Sequence, residues 1–187
     1  MSKKEQIRAA AVKVIASEGF FNATTDKIAK EAGVAVGTLY NYFSSKEDIL
    51  NHIYDVEYQK RYRLYQEIKN RQIDPLAKIK ELLFFHFQEI QKEPDIVKIV
   101  LAEKINAGRH KLISFEKFAK LPVIISEIIN EGIAKGYLKK CDSRIISIMM
   151  FGFIEAIMTE FLVTQNKEIL EKALEEICYL LEEGLRI

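Results

Sequence analysis

The chain has 187 residues, of which 49% are hydrophobic and 29% charged, the balance of a soluble globular protein. That balance excludes a disordered tail, a collagen or coiled-coil rod and a multi-span membrane protein. Twenty-eight basic residues stand against 27 acidic ones, a net charge of +1, so no global polyelectrolyte attraction to nucleic acid is available. Two cysteines, Cys141 and Cys178, form no CxxC pair and read as unpaired thiols in a reducing cytoplasm rather than a disulfide scaffold. With only eight Gly and three Pro, and Leu, Ile, Glu, Lys and Ala abundant, helix is favoured throughout.

Ile7, Ala10, Ala11, Val14 and Ile15 repeat at helical spacing, and Gly19 closes that first segment. Thr24 or Thr25 can cap a second helix, Asp26 to Ala32, which Gly33 ends. A third short helix spans about Val36 to Tyr42. Ser44-Ser45-Lys46-Glu47 then matches a capping box, with Ser44 as N-cap and Glu47 reaching back, ahead of a long helix to about Asn70.

Asp74 as N-cap and Pro75 in the first helical position start the next helix, with Leu76, Ile79, Leu82, Leu83, Phe87 and Ile90 on one side. Glu93-Pro94-Asp95 separates it from another helix, Pro122 starts or kinks one ending near Gly136, Asp142 caps an apolar helix through Val163, and Asn166 can cap the last. The window Ile145 to Val163 is long enough for a bilayer, but Glu155 and Glu160 interrupt it, so it reads as a buried helix. From Glu155 onward eight acids meet three bases, leaving the compensating positive charge to the rest of the chain. The N-terminus lacks an apolar signal core. The expectation is an all-α, cytoplasmic protein of about nine helices, with no strand and no membrane partner.

Residues 7–50 carry the chemistry. A helix, a Thr-capped short helix, a Gly turn and a second short helix are the parts of a helix-turn-helix, whose recognition helix must enter the major groove while its partner braces it. Ala29, Ala32 and Ala35 allow close packing there; Leu39 and Phe43 face inward, leaving Val36, Gly37, Tyr40 and Asn41 outward. The run Thr24-Thr25-Asp26-Lys27-Ile28-Ala29-Lys30-Glu31-Ala32-Gly33-Val34-Ala35-Val36-Gly37-Thr38-Leu39-Tyr40-Asn41-Tyr42-Phe43-Ser44-Ser45-Lys46-Glu47-Asp48-Ile49-Leu50 resembles the tetracycline-repressor-like (TetR-type) bacterial transcription regulators. The resemblance covers about the first fifty residues. It implies a homodimeric repressor of double-stranded operator DNA whose C-terminal helices bind a small inducer.

The same resemblance puts base contacts on Val36, Gly37 and Tyr40, and phosphate contacts on Thr25, Thr38, Tyr42 and Lys46. Hydroxyls and an ammonium suit phosphate oxygens, and a tyrosine ring suits a thymine methyl. Ala35 departs from the serine common in the family and offers no side-chain cap. No Arg, Gln or Asn stands on the first turn of the recognition helix, which leaves more of the specificity to DNA shape. Lys3, Lys4 and Arg8 could approach the DNA backbone, though solvation is the favoured reading.

In the C-terminal part, phenylalanines and methionines suit either a core or an elongated apolar pocket. Candidate pocket residues are Phe84, Phe87, Glu103, Phe118, Met149, Phe153 and Glu155. Ile146 to Thr164 and Glu131 to Leu138 resemble the fatty-acyl-CoA-responsive subgroup, which implies a small hydrophobic inducer such as a long-chain acyl-CoA. A cationic or aromatic drug held by Glu103 or Glu155, or an architectural DNA binder without inducer, are the alternatives. The last two helices resemble the family's dimerisation hairpin; an apolar stripe that would otherwise be bare puts Leu174, Ile177 and Leu181 at the interface.

No nucleophile–base pair, Gly-rich phosphate loop or metal-ligand spacing is visible, so neither an enzyme, a cofactor nor a metal is expected. The expected division is a DNA-binding domain over 1–48 and a ligand-binding and dimerisation domain over 49–187. A ligand among the C-terminal helices would displace the long helix, swing the DNA-binding domain, and disfavour the spacing of about 35 Å that two recognition helices need.

Overall fold

The structure is a computed structural model that describes residues 1–106, 117, 118 and 120–187, with the backbone alone for residues 103–106. The described residues form nine helices: α1 (Lys3–Glu18), α2 (Thr25–Glu31), α3 (Val36–Tyr40), α4 (Lys46–Lys69), α5 (Pro75–Lys92), α6 (Pro94–Asn106), α7 (Leu121–Ala134), α8 (Ser143–Thr164) and α9 (Glu168–Leu185). No strand occurs among them beyond one antiparallel bridge between Leu138 and Arg186.

Helix starts follow local chemistry, because the first amides of a helix need acceptors from outside it. Thr24 Oγ1 accepts from Lys27 N, Asp74 Oδ1 from Leu76 N and Ala77 N, and Asp142 Oδ1 from Arg144 N and Ile145 N. Gly19 and Gly33 take positive φ values of 78° and 63°, ending α1 and turning the chain after α2. Asn166 Oδ1 accepts from Glu168 N at the start of α9.

Two local expectations are corrected. The capping box sits one residue later than expected: Ser45 Oγ accepts from Asp48 N, and Asp48 Oδ2 accepts from Ser44 N and its hydroxyl, so Asp48 rather than Glu47 reaches back. The third helix ends at Tyr40, which leaves Tyr42 outside it.

The chain divides into two compact units. The first holds residues 1–59 with the described part of 95–118, and the second holds residues 60–94 and 120–187. In the first, Ile7, Ala11 and Ile15 of α1, Ile28 and Ala29 of α2, Leu39 of α3, Phe43, and Leu50, Ile53 and Tyr54 of α4 pack into one core. Ile96 and Ile99 of α6 join that core, and Tyr54 Oη donates to the Ile99 carbonyl. Each fully buried aliphatic side chain of this kind contributes roughly 1.5–3 kcal/mol by burial alone.

In the second unit, α5 packs on α7 and α9, and α8 packs on α7 and α9. The predicted stripe of α5 is buried throughout: Leu76, Ile79, Leu82, Leu83, Phe87 and Ile90. Gly132 of α7 is there for space, since a Cβ would meet Leu138 Cδ1 at 2.6 Å and Pro75 Cβ at 3.1 Å. Arg186 forks onto both carboxylate oxygens of Asp74 at 3.2 Å each, closing the C-terminus onto the start of α5.

The helix α8 is not the buried helix that its composition predicts. It is long and apolar enough to cross a membrane, yet only Ser143, Ser147, Met150, Ile154 and Phe161 are buried. One stripe meets the chain's own core; the opposite stripe, with Ile145, Ile148, Met149 and Phe153, stays bare in a single chain.

Candidate functional site

The surface of α3 follows from how two side chains anchor it. Leu39 and Phe43 are buried in the first core, and that fixes which way the helix turns its other faces. Gly37 and Asn41 are exposed, Val36 and Thr38 are half-buried, and Tyr40 is 51% exposed. Ala35 precedes the helix without any side-chain cap, as its methyl dictates.

Gly37 is the telling position. It has no positive φ, and a Cβ added there would meet nothing within 4 Å. Neither backbone conformation nor internal packing requires glycine here, so the chain presents bare backbone to whatever approaches from outside. Beside it, Tyr40 Oη lies 3.2 Å from Thr25 Oγ1. Three of the predicted DNA-facing residues, Gly37, Tyr40 and Tyr42, are therefore open to solvent; Thr25, Val36 and Thr38 are half-covered.

Lys46 is placed differently from what a free phosphate donor needs. Its ammonium donates to the carbonyls of Phe20 at 2.6 Å and Ala23 at 2.7 Å, with Phe21 O at 3.3 Å, and sits 4.5 Å over the Phe20 ring. Those carbonyls lie in the link between α1 and α2, so Lys46 ties the start of α4 to the approach to α2. Sequence spacing held no sign of this, because the partners are 23 and 26 positions away.

The N-terminal cations are also engaged within the unit. Arg8 pairs with Glu5 at 2.7 Å and with buried Glu57 of α4 at 3.7 Å. Lys4 stands 5.4 Å from the Phe43 ring centroid, and His52 meets the same ring at a tilt of 49°. Burial, then the charges of Lys4 and Arg8, hold the His52 pKa below its ordinary value.

The predicted inducer residues are spread over both units. Phe87 is buried in the second core, and Phe84, in the same helix, is 52% exposed. Phe118 belongs to the first unit, edge-on to Tyr54 and Tyr58. Glu155 is half-buried, and the side chain of Glu103 lies outside the described residues. Met149 and Phe153, 48% and 44% exposed, line an open apolar groove of about 450 Å³ between α8 and α9. Ile177 and Leu181, predicted for the interface, share that groove, and Phe153 and Ile177 continue into a neighbouring one of about 310 Å³. Leu174 is half-buried beside them in sequence but lines neither groove.

Sequence reasoning missed the polar pair inside the second core. Tyr65 Oη and His86 Nδ1 are 3.5 Å apart, with Phe151 edge-on to the imidazole. Burial, and secondarily the charge of Arg61, lowers the His86 pKa to about 3, while burial pushes the Tyr65 phenol up. Among the described residues no group of three or more His, Cys, Asp or Glu could hold a metal ion.

Comparison with known proteins identifies the whole arrangement. The pattern described as bacterial regulatory proteins, tetR family, matches residues 7–53, and that of the YsiA-like protein C-terminal region matches residues 60–184. The fatty acid metabolism regulator protein of Bacillus subtilis (strain 168) is 30% identical over 186 residues, covering 98% of this chain and 95% of its own. The fatty acid degradation regulator FadR from Bacillus halodurans superposes with a TM-score of 0.85 at 30% identity, over 98% of this chain and 96% of that one. FadR from Bacillus subtilis, solved in complex with stearoyl-CoA, gives the same TM-score and identity over 96% of this chain and 98% of that one. The chain belongs to the TetR family of bacterial transcription regulators, DNA-binding repressors that act as dimers.

Proposed function

We propose that this chain is a cytoplasmic repressor released from a palindromic operator by a long-chain acyl-CoA, without catalytic activity of its own. The observation that carries the reading is the 30% identity, over nearly the whole of both chains, to a FadR that holds stearoyl-CoA. The bare backbone at Gly37 next to exposed Tyr40 supports Val36, Gly37 and Tyr40 as the base-facing set, with Thr25, Thr38 and Tyr42 toward phosphates. Lys46 reaches a phosphate only by giving up one of its backbone acceptors.

DNA binding is assigned to residues 1–48, and ligand binding and dimerisation to residues 49–187. Dimerisation through α8 and α9 is supported by the open grooves, whose apolar walls would otherwise meet water. Their residues Met149 and Phe153 belong to that interface better than to an inducer pocket. Two such hairpins make a four-helix bundle across a two-fold axis.

The ligand acts only through its differential affinity for the DNA-competent and incompetent states. The test is fluorescence anisotropy of the gene's own upstream DNA, titrated with protein at fixed salt, with stearoyl-CoA, free CoA or neither. Tight binding abolished by stearoyl-CoA alone supports the reading. Tight binding indifferent to it removes the inducer.

A further inference from the structure

Lys78 of α5 has 1% of its surface exposed. A lysine is almost never buried so far unless its ammonium has partners that offset the lost hydration. Here it donates to the carbonyl oxygen of Lys69 at 2.7 Å and to Glu131 Oε2 at 3.1 Å. Lys69 is the last residue of α4, where the final carbonyls have no helical partner and the helix dipole favours a cation.

The same helix end is held a second way. The Lys69 ammonium pairs with Glu127 Oε2 at 2.5 Å, and Glu127 and Glu131 lie one turn apart on α7. Arg71, just beyond, pairs with Glu67 of α4 at 2.8 Å and Glu81 of α5 at 2.6 Å. The α7 helix also packs closely there, since a Cβ at Gly132 would meet Leu138 Cδ1 at 2.6 Å and Pro75 Cβ at 3.1 Å.

The other half of α4 is employed elsewhere: its residues up to Gln59 belong to the first unit, with the helix-turn-helix. A helix of 24 residues is roughly 36 Å long, and a rod held at one end moves by about 3 Å at the other for a tilt of about 5°.

We propose that Lys78 is the anchor of the ligand response. By holding the C-terminal end of α4 to α5 and α7, it converts inducer-driven tilting of that helix into displacement of the half that belongs to the DNA-binding unit. Lys78 is thus a positioning residue, and its role rests on the reading that an acyl-CoA is the inducer.

The test uses the full-length chain with Lys78→Met, which keeps the stem and removes the ammonium. Two quantities are read: hydrogen exchange at the amides of Lys69, Asn70 and Arg71, and operator affinity with and without stearoyl-CoA. Exchange at those amides is expected to quicken about tenfold, the loss of one charge-assisted hydrogen bond. Operator affinity without ligand is expected to stay as in the unsubstituted protein, while the weakening caused by stearoyl-CoA shrinks by about tenfold. Unchanged exchange, or a full ligand response in the variant beside a responsive parent, overturns the anchor alone. A parent protein that ignores stearoyl-CoA overturns the inducer reading and the anchor with it. Should Lys78→Met not fold, Glu131→Gln leaves the bond to the Lys69 carbonyl intact, and both quantities are expected to move the same way by about threefold.

Discussion

The hydroxyl oxygens of Thr25 and Tyr40 lie 3.2 Å apart, so the first residue of α2 is tied to the last residue of α3. A tyrosine ring held this way loses less freedom when it meets a base than a free one would. Thr25→Val and Tyr40→Phe each remove the tie, so their effects on operator affinity are expected to be non-additive by about 0.5–1 kcal/mol in a double-mutant cycle. Additive losses would show that the two hydroxyls act on DNA independently.

Gly37 offers a substitution whose effects on stability and on binding have opposite signs. Alanine has the higher helix propensity, by up to about 1 kcal/mol, and its methyl meets nothing in the chain. Gly37→Ala should therefore melt at the same temperature or higher. Operator affinity is expected to fall by about tenfold or more, because the methyl occupies the gap through which base edges approach. Retained affinity in the titration would place the DNA elsewhere than on this face.

Phe153 lines both grooves on the α8–α9 face, yet as a partly exposed side chain it contributes little to the fold of one chain. Phe153→Glu puts a charge into an interface that would have to desolvate it. Sedimentation is expected to find a folded monomer with poor operator affinity. A stable dimer would move the interface away from this hairpin. Ile177 and Leu181, 7% and 9% exposed, are less suitable probes because they also serve the chain's own core.

His86 makes the second core sensitive to acid. Its folded pKa of about 3 lies below the ordinary 6.5, so the unfolded chain binds the proton more readily throughout that interval. Stability is complete above pH 6.5 and is lost as pH falls toward 3. Between pH 6.5 and about pH 4 the loss is on the order of 3 kcal/mol. His86→Asn keeps an acceptor for Tyr65 without a titrating ring, and urea unfolding across that range should show a flatter slope for the variant. Glu131 and Glu182 are held below the usual carboxylate range by bonds led by those from Lys135 and Lys80, so they add losses at lower pH in both proteins. An identical slope in the two proteins would mean that His86 is protonated without strain.

The amino-acid sequence by itself determined the helices and the identity of the DNA-reading segment. Caps act over two or three residues, so Asp74 and Asp142 could be recognised directly, Thr24 was one of two adjacent candidates, and the one-residue error at Ser45 came from two adjacent serines competing for one role. The inward residues at α3 were legible because Leu39 and Phe43 are four apart, a helical spacing that the chain keeps just past Tyr40, where Phe43 N still donates to the Leu39 carbonyl.

Only the tertiary structure decided where long side chains end and which apolar face remains bare. Lys46 finds carbonyls more than twenty positions away, and Lys78 reaches a helix terminus and a glutamate 53 positions distant. Phe118 sits edge-on to Tyr54 and Tyr58 within the first unit, a contact no spacing announces. Periodicity marks the stripes of α8 as apolar but cannot say which one the chain buries, because the same chemistry suits a core and a partner's surface. That choice is made when α7 and α9 pack on α8 and leave Met149 and Phe153 half-exposed along the open groove beside α9.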